Sequence, residues 1–503
     1  MSEFFFESLG LVLQPTTIFY VFLGILIGQV MGLIPGLTAT MAMALVVPLT
    51  YGMPLWVAVP FLMAMLKGNQ FGGSISAVLL NTPGTPGATA DVLDGYPLAQ
   101  QGKAKKAIKM ALYASVCGET FAAICLIAAT RALATFALKF GPPEYVLLML
   151  CALTLLGTIA GKSIARGLMA AGIGLLIGCV GTDPLLGSGR LAFGSSLMMD
   201  GFQMIPILIG LLTIPEVFKQ LEKDPSSSSE VAVRYSKKRE DNVVSRKEFA
   251  DCLPTIAKSS VIGTIIGAIP GLGGTIAAFV SYNQAVTSSK TPWTFGKGEI
   301  KGIAAPEAAN SAVAGSNLIP LLAFGIPGDI SAAVITGAFL LHGIVLGPNI
   351  FNEVPVQIYA IYIAILLGSF ANLLVGKAII PFATKALQIS RRVLFPCVLV
   401  AAASGSFGSR ALLFDMQCMF LFGVLGYLMS KLEIPAVPMI IAFLLGPTLE
   451  ASIRRTEAMI AAEQSAFFLL QRPIFIGFAA LFVIMIWFVV KNRKKLLEMS
   501  QVN

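Results

Sequence analysis

Histidine occurs once, at His342, and charged residues make up only 12% of the 503. A single histidine excludes a histidine-rich metal site. A soluble domain would carry about 25% charged residues, so the low charge argues against that class. The seven cysteines (positions 117, 125, 151, 179, 252, 397 and 418) show no C-x-x-C spacing, and all but Cys252 lie in apolar segments. They read as small buried hydrophobes, not as disulfides or metal ligands. No G-x-S-x-G, H-E-x-x-H or P-loop pattern is present, which removes the sequence basis for serine-hydrolase, zinc-protease or ATP-hydrolysing chemistry. No basic n-region or A-x-A site flanks the first apolar run, so a cleaved signal peptide is not expected. Strand-period alternation does not recur either, which speaks against an outer-membrane barrel.

What the chain has in abundance is apolar length. Hydrophobic residues make up 56%, and the mean hydropathy is +0.83. Apolar runs of helical length follow one another from Ile18 onward, as a lipid-embedded helical protein requires. The net charge of +9 sits largely in short loops and a linker. It therefore carries topological information and does not suggest a nucleic-acid partner.

One stretch departs from simple apolar helix. Pro306 to Gly328, PEAANSAVAGSNLIPLLAFGIPG, holds Glu307, Asn310, Ser311, Ser316, Asn317 and two further prolines, Pro320 and Pro327. Broken backbone at bilayer depth survives only when buried in protein or lining a wet cavity. The stretch predicts a discontinuous segment forming half of a polar site. A second polar stretch, Lys67 to Gly102, has the same character.

The chain divides and repeats. Lys219 to Glu248 is charged and serine-rich and reads as a solvated linker. On either side, GQVMGLIPGLTATMA (Gly28 to Ala42) aligns without gaps on GTIIGAIPGLGGTIA (Gly263 to Ala277), with 8 of 15 positions identical. Gly73-Ser74 leading to Pro83-Gly84 mirrors Gly315-Ser316 leading to Pro327-Gly328. Loop by loop, the excess of Lys and Arg changes sides between the halves: Lys103, Lys105, Lys106 and Lys109 follow the first Pro-Gly break, and no basic residue follows the second. That is the pattern of an inverted repeat. The expected architecture is an all-α polytopic membrane protein of about 12 transmembrane helices with broken or re-entrant segments. Its parts are a first membrane repeat (1–218), a charged cytoplasmic linker (219–252), a second repeat (253–465), and an extra helix with a basic tail (466–503). Linker and C-terminus are expected on the cytoplasmic side.

Helix N-termini attract anions. Thr38, Thr40 and Thr275 follow the Pro-Gly-Leu breaks and can cap a helix or offer a hydroxyl to a ligand. Asn81, Thr82 and Thr85 mark the second break of one half, and Asn317, Gly325 and Asp329 that of the other. Simple helix kinking is the alternative for any one proline; four breaks with their Asn, Ser and Thr clusters favour a binding site at the midplane. Asp91, Asp94 and Glu307 are the carboxylates nearest the breaks, candidates for cation or proton coupling or for structural ties. Lys67 either attracts an anion or snorkels to the interface. A passive channel and an intramembrane enzyme are the competing readings.

YGM at 51–53, GGSISAVLLNTPGTPGATADVLDGYPLAQQGKA at 72–104 and the stretch 306–328 resemble the signatures of the large membrane (TctA-type) permease subunit of tripartite tricarboxylate transporters. The similarity spans essentially the whole chain. It implies a bacterial inner-membrane permease that imports carboxylates such as tricarboxylates by Na⁺- or H⁺-coupled symport, with no cofactor. It also implies two protein partners, a small four-helix membrane subunit and a periplasmic solute-binding protein. The matching polar positions are Gly36, Thr40, Ser74, Asn81, Thr82, Pro83, Gly84, Asn310, Ser316, Pro327 and Gly328. Together with Thr38, Thr275 and Asn317 they form the expected substrate site, and Asp94 and Glu307 are the coupling-ion candidates.

Overall fold

The computed structural model describes residues 2–34, 36–159, 163–183, 187–222, 236, 238–383, 391–408, 410–463 and 465–491. Pro35, most of the serine-rich part of the linker and the basic tail beyond Lys491 lie outside the described residues. The described chain is almost entirely helical. In order its helices are α1 Ser2–Val12, α2 Pro15–Leu33, α3 Ala39–Val46, α4 Leu55–Leu80, α5 Val92–Leu98, α6 Ala104–Ala137, α7 Pro142–Ile159, α8 Ile164–Gly178, α9 Ser196–Met199 and α10 Met204–Glu222. The second half contributes α11 Arg246–Gly267, α12 Gly273–Ser288, α13 Lys301–Ser316, α14 Leu318–Phe324, α15 Ile330–Leu341, α16 Ile350–Glu353, α17 Pro355–Ile379, α18 Arg391–Gly408, α19 Leu413–Lys431, α20 Ala436–Ala462 and α21 Pro473–Lys491. One two-residue antiparallel ladder, Gly181–Thr182 with Gly189–Arg190, is the exception among the described residues.

Seven helical stretches among the described residues are long and apolar enough to cross a membrane, and six shorter apolar helices accompany them. Neither group contains α4 or α13, whose polar residues lower their hydropathy. Yet these two are the most enclosed elements: α4 is buried from Val57 to Leu79 and α13 from Gly302 to Ser316. A helix covered on every side must satisfy its polar residues internally, because lipid offers no partner.

The Lys67–Gly102 stretch holds one surprise. Lys67 to Leu80 does not break but continues α4 as a single 26-residue helix, with Pro60 inside it. The glycines there serve packing. A Cβ on Gly28 of α2 would lie 2.2 Å from the Met65 carbonyl oxygen of α4, so only glycine permits the crossing. Its sequence counterpart behaves alike: a Cβ on Gly263 of α11 would lie 2.2 Å from the Ala309 carbonyl oxygen of α13.

Long helices are exchanged across the molecule. α6 packs on α11 and α13, whereas α17 packs on α2 and α4. Likewise α10 lies along α19, and α20 along α8. The linker is shorter than its composition suggests, since α10 runs to Glu222 and α11 starts at Arg246. Ser245 and Glu248 form a capping box there, each side chain bonding the other's backbone N–H. At the far end α21 leaves much of its apolar surface exposed and is held to α7 by Arg472, which donates to both Glu144 oxygens at 2.6 and 2.9 Å.

Candidate functional site

The Pro-Gly breaks interrupt helices with local chemistry that the sequence specifies. After α2, Gly36 adopts φ +96°, and a Cβ there would meet Gln220 Nε2 at 2.4 Å. Thr38 then N-caps α3: its Oγ1 accepts from the Met41 N–H at 3.3 Å and lies 3.0 Å from Thr40 Oγ1. In the second half Gly271 N–H donates to the Gly328 carbonyl at 2.7 Å, which joins both breaks of that half directly. Thr275 sits half-buried in the first turn of α12.

The later breaks differ from each other. Asn81 ends α4 in the left-handed region at φ +55°, and Thr82 donates to the Leu80 carbonyl at 3.2 Å; both side chains are exposed. Pro83 is half-buried. Gly84 is buried so tightly that a Cβ would lie 2.0 Å from the Gly32 carbonyl oxygen. In the other half, Pro327 and Gly328 are buried. Asp329 N-caps α15, its Oδ1 accepting from the Ala332 N–H and from Asn317 Nδ2, both at 2.8 Å.

These breaks meet across the halves. α3 packs on α15, and α12 packs on the 3-10 turn Pro86–Thr89 that follows the first half's second break. Asn310 of α13 is clasped there: a Cβ on Gly87 would lie 2.0 Å from its Oδ1, and one on Gly274 would lie 2.3 Å away. Gln70 Nε2 of α4 donates to the Asn310 carbonyl at 3.2 Å. Among the buried polar atoms without a hydrogen-bond partner in the described residues are Asn310 Nδ2, Gln70 Oε1, Asn69 Oδ1 and Asn317 Oδ1. Buried polar atoms are normally satisfied, so this group marks the place for a ligand, ion or water. A cleft of about 430 Å³ opens at the first break of the first half and the start of α15, lined by Thr38, Thr40, Glu216, Lys219, Ile330 and Glu433 among others. That volume suits a small molecule.

Not every expected residue faces this region. Ser316 donates back to the Ala312 carbonyl at 3.1 Å and packs against Gly267 of α11. Asp94 is fully engaged: Oδ1 accepts from the Gly298 and Glu299 N–H groups, both at 2.8 Å, and Oδ2 from the Tyr282 hydroxyl at 2.9 Å. It ties α5 to the loop between α12 and α13.

Glu307 sits in a buried row of ionisable side chains. Ser74 Oγ lies 2.7 Å from Asp91 Oδ2 and also touches Glu307 Oε2. Glu307 Oε1 lies 3.2 Å from Ser311 Oγ, Ser311 meets Ser115 at 2.7 Å, and Ser115 reaches Glu119 Oε1 at 3.3 Å. Lys67 Nζ stands 3.7 Å from Glu119 Oε2 and donates to the Ile365 carbonyl at 2.8 Å and Ser369 Oγ at 2.7 Å. Asn372 bridges Glu119 to Gln29. Lys67 therefore neither snorkels nor faces an open cavity; it is wholly buried. Sequence reading passed over Ser115, Ser369 and Asn372. Its usable signal was Lys67 and Glu119 inside apolar helices, since an intramembrane charge implies a partner.

Fold and site define a polytopic helical membrane protein with a polar interior at broken helices. The tripartite tricarboxylate transporter TctA family model matches residues 18–441, and the chain belongs to that family. It is 34% identical over 463 residues to an uncharacterised 52.8 kDa protein of the TAR-I ttuC' 3' region in Agrobacterium vitis, covering 92% of this chain and 91% of that one. A second Agrobacterium vitis protein, from the TAR-II ttuC' 3' region, is 35% identical over 212 residues, covering 42% of this chain and 87% of that one. No solved structure matches.

Proposed function

We propose that the chain is the permease subunit of a binding-protein-dependent secondary transporter. It takes up organic carboxylates such as tricarboxylates, driven by Na⁺ or H⁺. The observation that carries the reading is the meeting of breaks from opposite halves: α3 against α15, α12 against the Pro86–Thr89 turn, with Asn310 gripped between Gly87 and Gly274. Exchange of α6 and α17 between the halves supports two inverted repeats, 1–218 and 253–465, since each copy then makes the same contact in the other's frame. In this arrangement the linker and C-terminus face the cytoplasm across the bacterial inner membrane.

Thr38 and Thr40 offer hydroxyls at the cleft, and the α3 N-terminus favours a carboxylate. Asn310 and Asn317 supply the buried amides with unspent hydrogen-bonding capacity. Gly36, Gly84, Pro327 and Gly328 shape the breaks, with Thr275 at the matching helix start. A periplasmic solute-binding protein delivers the anion and a small four-helix subunit completes the membrane complex, as the family implies. One half then moves against the other to expose the site inside.

Radiolabelled citrate and related di- and tricarboxylates, offered with the binding protein to proteoliposomes of the complete complex, test the reading under imposed Na⁺ or H⁺ gradients. Accumulation above the equilibrium level in one gradient is expected. Entry that only equilibrates would favour a passive channel and remove the coupling.

A further inference from the structure

The row from Asp91 to Lys67 has a proton count that the described side chains cannot meet if every carboxylate is ionised. It contains five oxygen–oxygen contacts: Asp91–Ser74, Ser74–Glu307, Glu307–Ser311, Ser311–Ser115 and Ser115–Glu119. Each needs one hydrogen, and the three serines supply three. Two more protons are therefore required. Charge gives the same number independently. Asp91, Glu307, Glu119 and Lys67 are all 0% exposed. Three carboxylates against one ammonium leave two uncompensated negative charges in a low-dielectric interior, which is costly, and two protons cancel them. Asp91 Oδ1, buried and without a hydrogen-bond partner, marks the end at which the row is unfinished.

We propose that this row is a proton relay, the coupling element of the permease, and that its resting state holds two protons, on Asp91 and Glu307. The inference rests on the transport reading above and commits its coupling ion to H⁺. With Glu119 ionised beside Lys67, every hydrogen points one way: Asp91 donates to Ser74, Ser74 to Glu307 Oε2, Glu307 Oε1 to Ser311, Ser311 to Ser115, and Ser115 to Glu119. Advancing each hydrogen by one contact breaks five O–H bonds and forms five. Asp91 loses a proton, Glu119 gains one, and the four groups between give one and take one. Water on one face supplies the proton and water on the other receives it when the halves move. The other side chains bonded to the row among the described residues are neutral, Ser369 on Lys67 and Asn372 on Glu119, with Gln29 of α2 behind Asn372; Ser74 also lies 3.4 Å from the Gln70 backbone carbonyl.

Infrared spectra of the intact purified chain read the protons without any substrate. Two protonated-carboxyl bands are expected at neutral pH, one lost in Asp91→Asn and the other in Glu307→Gln; absence of both bands overturns the relay. Transport reads the conduction, using the complete complex, its binding protein and citrate as the probe. Ser311→Ala is expected to lose pH-gradient-driven uptake about tenfold or more. It should retain exchange of external for internal citrate, which needs no net proton movement, and Ser311→Thr should restore uptake. Gradient-driven uptake by Ser311→Ala at the wild-type rate, or equal loss of exchange and driven uptake, overturns the relay. Absence of exchange in the wild type overturns the transport reading itself, whatever the spectra show.

Discussion

Replacing Lys67 by Met tests whether the buried charges are a matched set. Met keeps the stem's volume but removes the ammonium. Glu119 Oε2 then faces no cation, while Glu119 Oε1 keeps its bonds from Asn372 and Ser115. The Ile365 carbonyl and Ser369 hydroxyl each lose a donor. Stranding one member of a buried pair costs about 3–5 kcal/mol. Glu119→Gln on top of Lys67→Met removes the stranded charge, and replacing both partners of such a pair is often close to neutral. The double variant is therefore expected to be more stable than the Lys67→Met single, with a coupling energy of about 2 kcal/mol or more in the double-mutant cycle. Unfolding in mixed micelles by titration with a denaturing detergent, followed by loss of helical circular dichroism, reads all four proteins. A Lys67→Met protein within about 1 kcal/mol of wild type, or a double variant whose loss is the sum of the singles, would refute the matched-charge argument.

Gly28→Val should prevent stable packing of α2 on α4, because its Cβ would sit 2.2 Å from the Met65 carbonyl oxygen; the expected result is proteolysis of inserted protein, read by pulse-chase immunoblot. Asp94→Ala strands the Gly298 and Glu299 N–H groups and the Tyr282 hydroxyl, so amide exchange across residues 296–300 should quicken sharply, while Asp94→Asn should show a smaller effect. Asn81→Gly is expected to be neutral or mildly stabilising and Asn81→Val to cost about 1–2 kcal/mol, since the position is left-handed and its side chain exposed; thermal unfolding in detergent compares them. Asn310→Ala should abolish carboxylate uptake while leaving membrane insertion intact, as read by flux beside a cysteine-accessibility map.

Much of this was legible in the sequence because each feature leaves a local mark. The turn at Gly36 and the Thr38 cap are single-residue requirements of backbone geometry, and residue identity displays them; Thr275 carries the same local mark but lies inside α12, which has no side-chain cap. The continuity of α4 was not legible. KGNQFGGS reads as a breaker when judged by polarity, yet Gly68 and Gly72 pack on α2, Gly73 packs on Thr85, and Lys67, Gln70 and Ser74 reach α17 and α13. Only the tertiary arrangement decides between helix and loop there. Asp91, Glu307 and Lys67 each stood out singly, but their connection into a row was not legible, for a related reason. Its members lie on α4, α6, α13 and the turn before α5, separated by up to 233 residues in one bond, and no spacing rule connects them. Asp94 and Asp91 are three residues apart and have opposite fates: one is consumed by backbone N–H groups, the other left with an unpartnered oxygen. Composition cannot separate them.

The placement of the row also bears on how proton and solute movement are linked. Its members alternate between the halves of the chain: Asp91 and Ser74 belong to the first, Glu307 and Ser311 to the second, Ser115 and Glu119 to the first again. Two contacts, Ser74 with Glu307 and Ser115 with Ser311, therefore cross between halves. Any rocking of one half against the other shears at least one of them. Asn310 lies one turn from Glu307 on α13, so a displacement that opens its clasp between Gly87 and Gly274 also acts on the row. Solute release and interruption of the proton path are then one motion. Cross-linking provides the check: cysteines at Tyr20 and Phe61, whose rings pack together within the first half, should leave transport running, whereas a short cross-link joining Gln101 to Lys297 across the halves should stop uptake and proton movement together. Uptake that stops while protons continue to pass would separate the two and refute the shared motion.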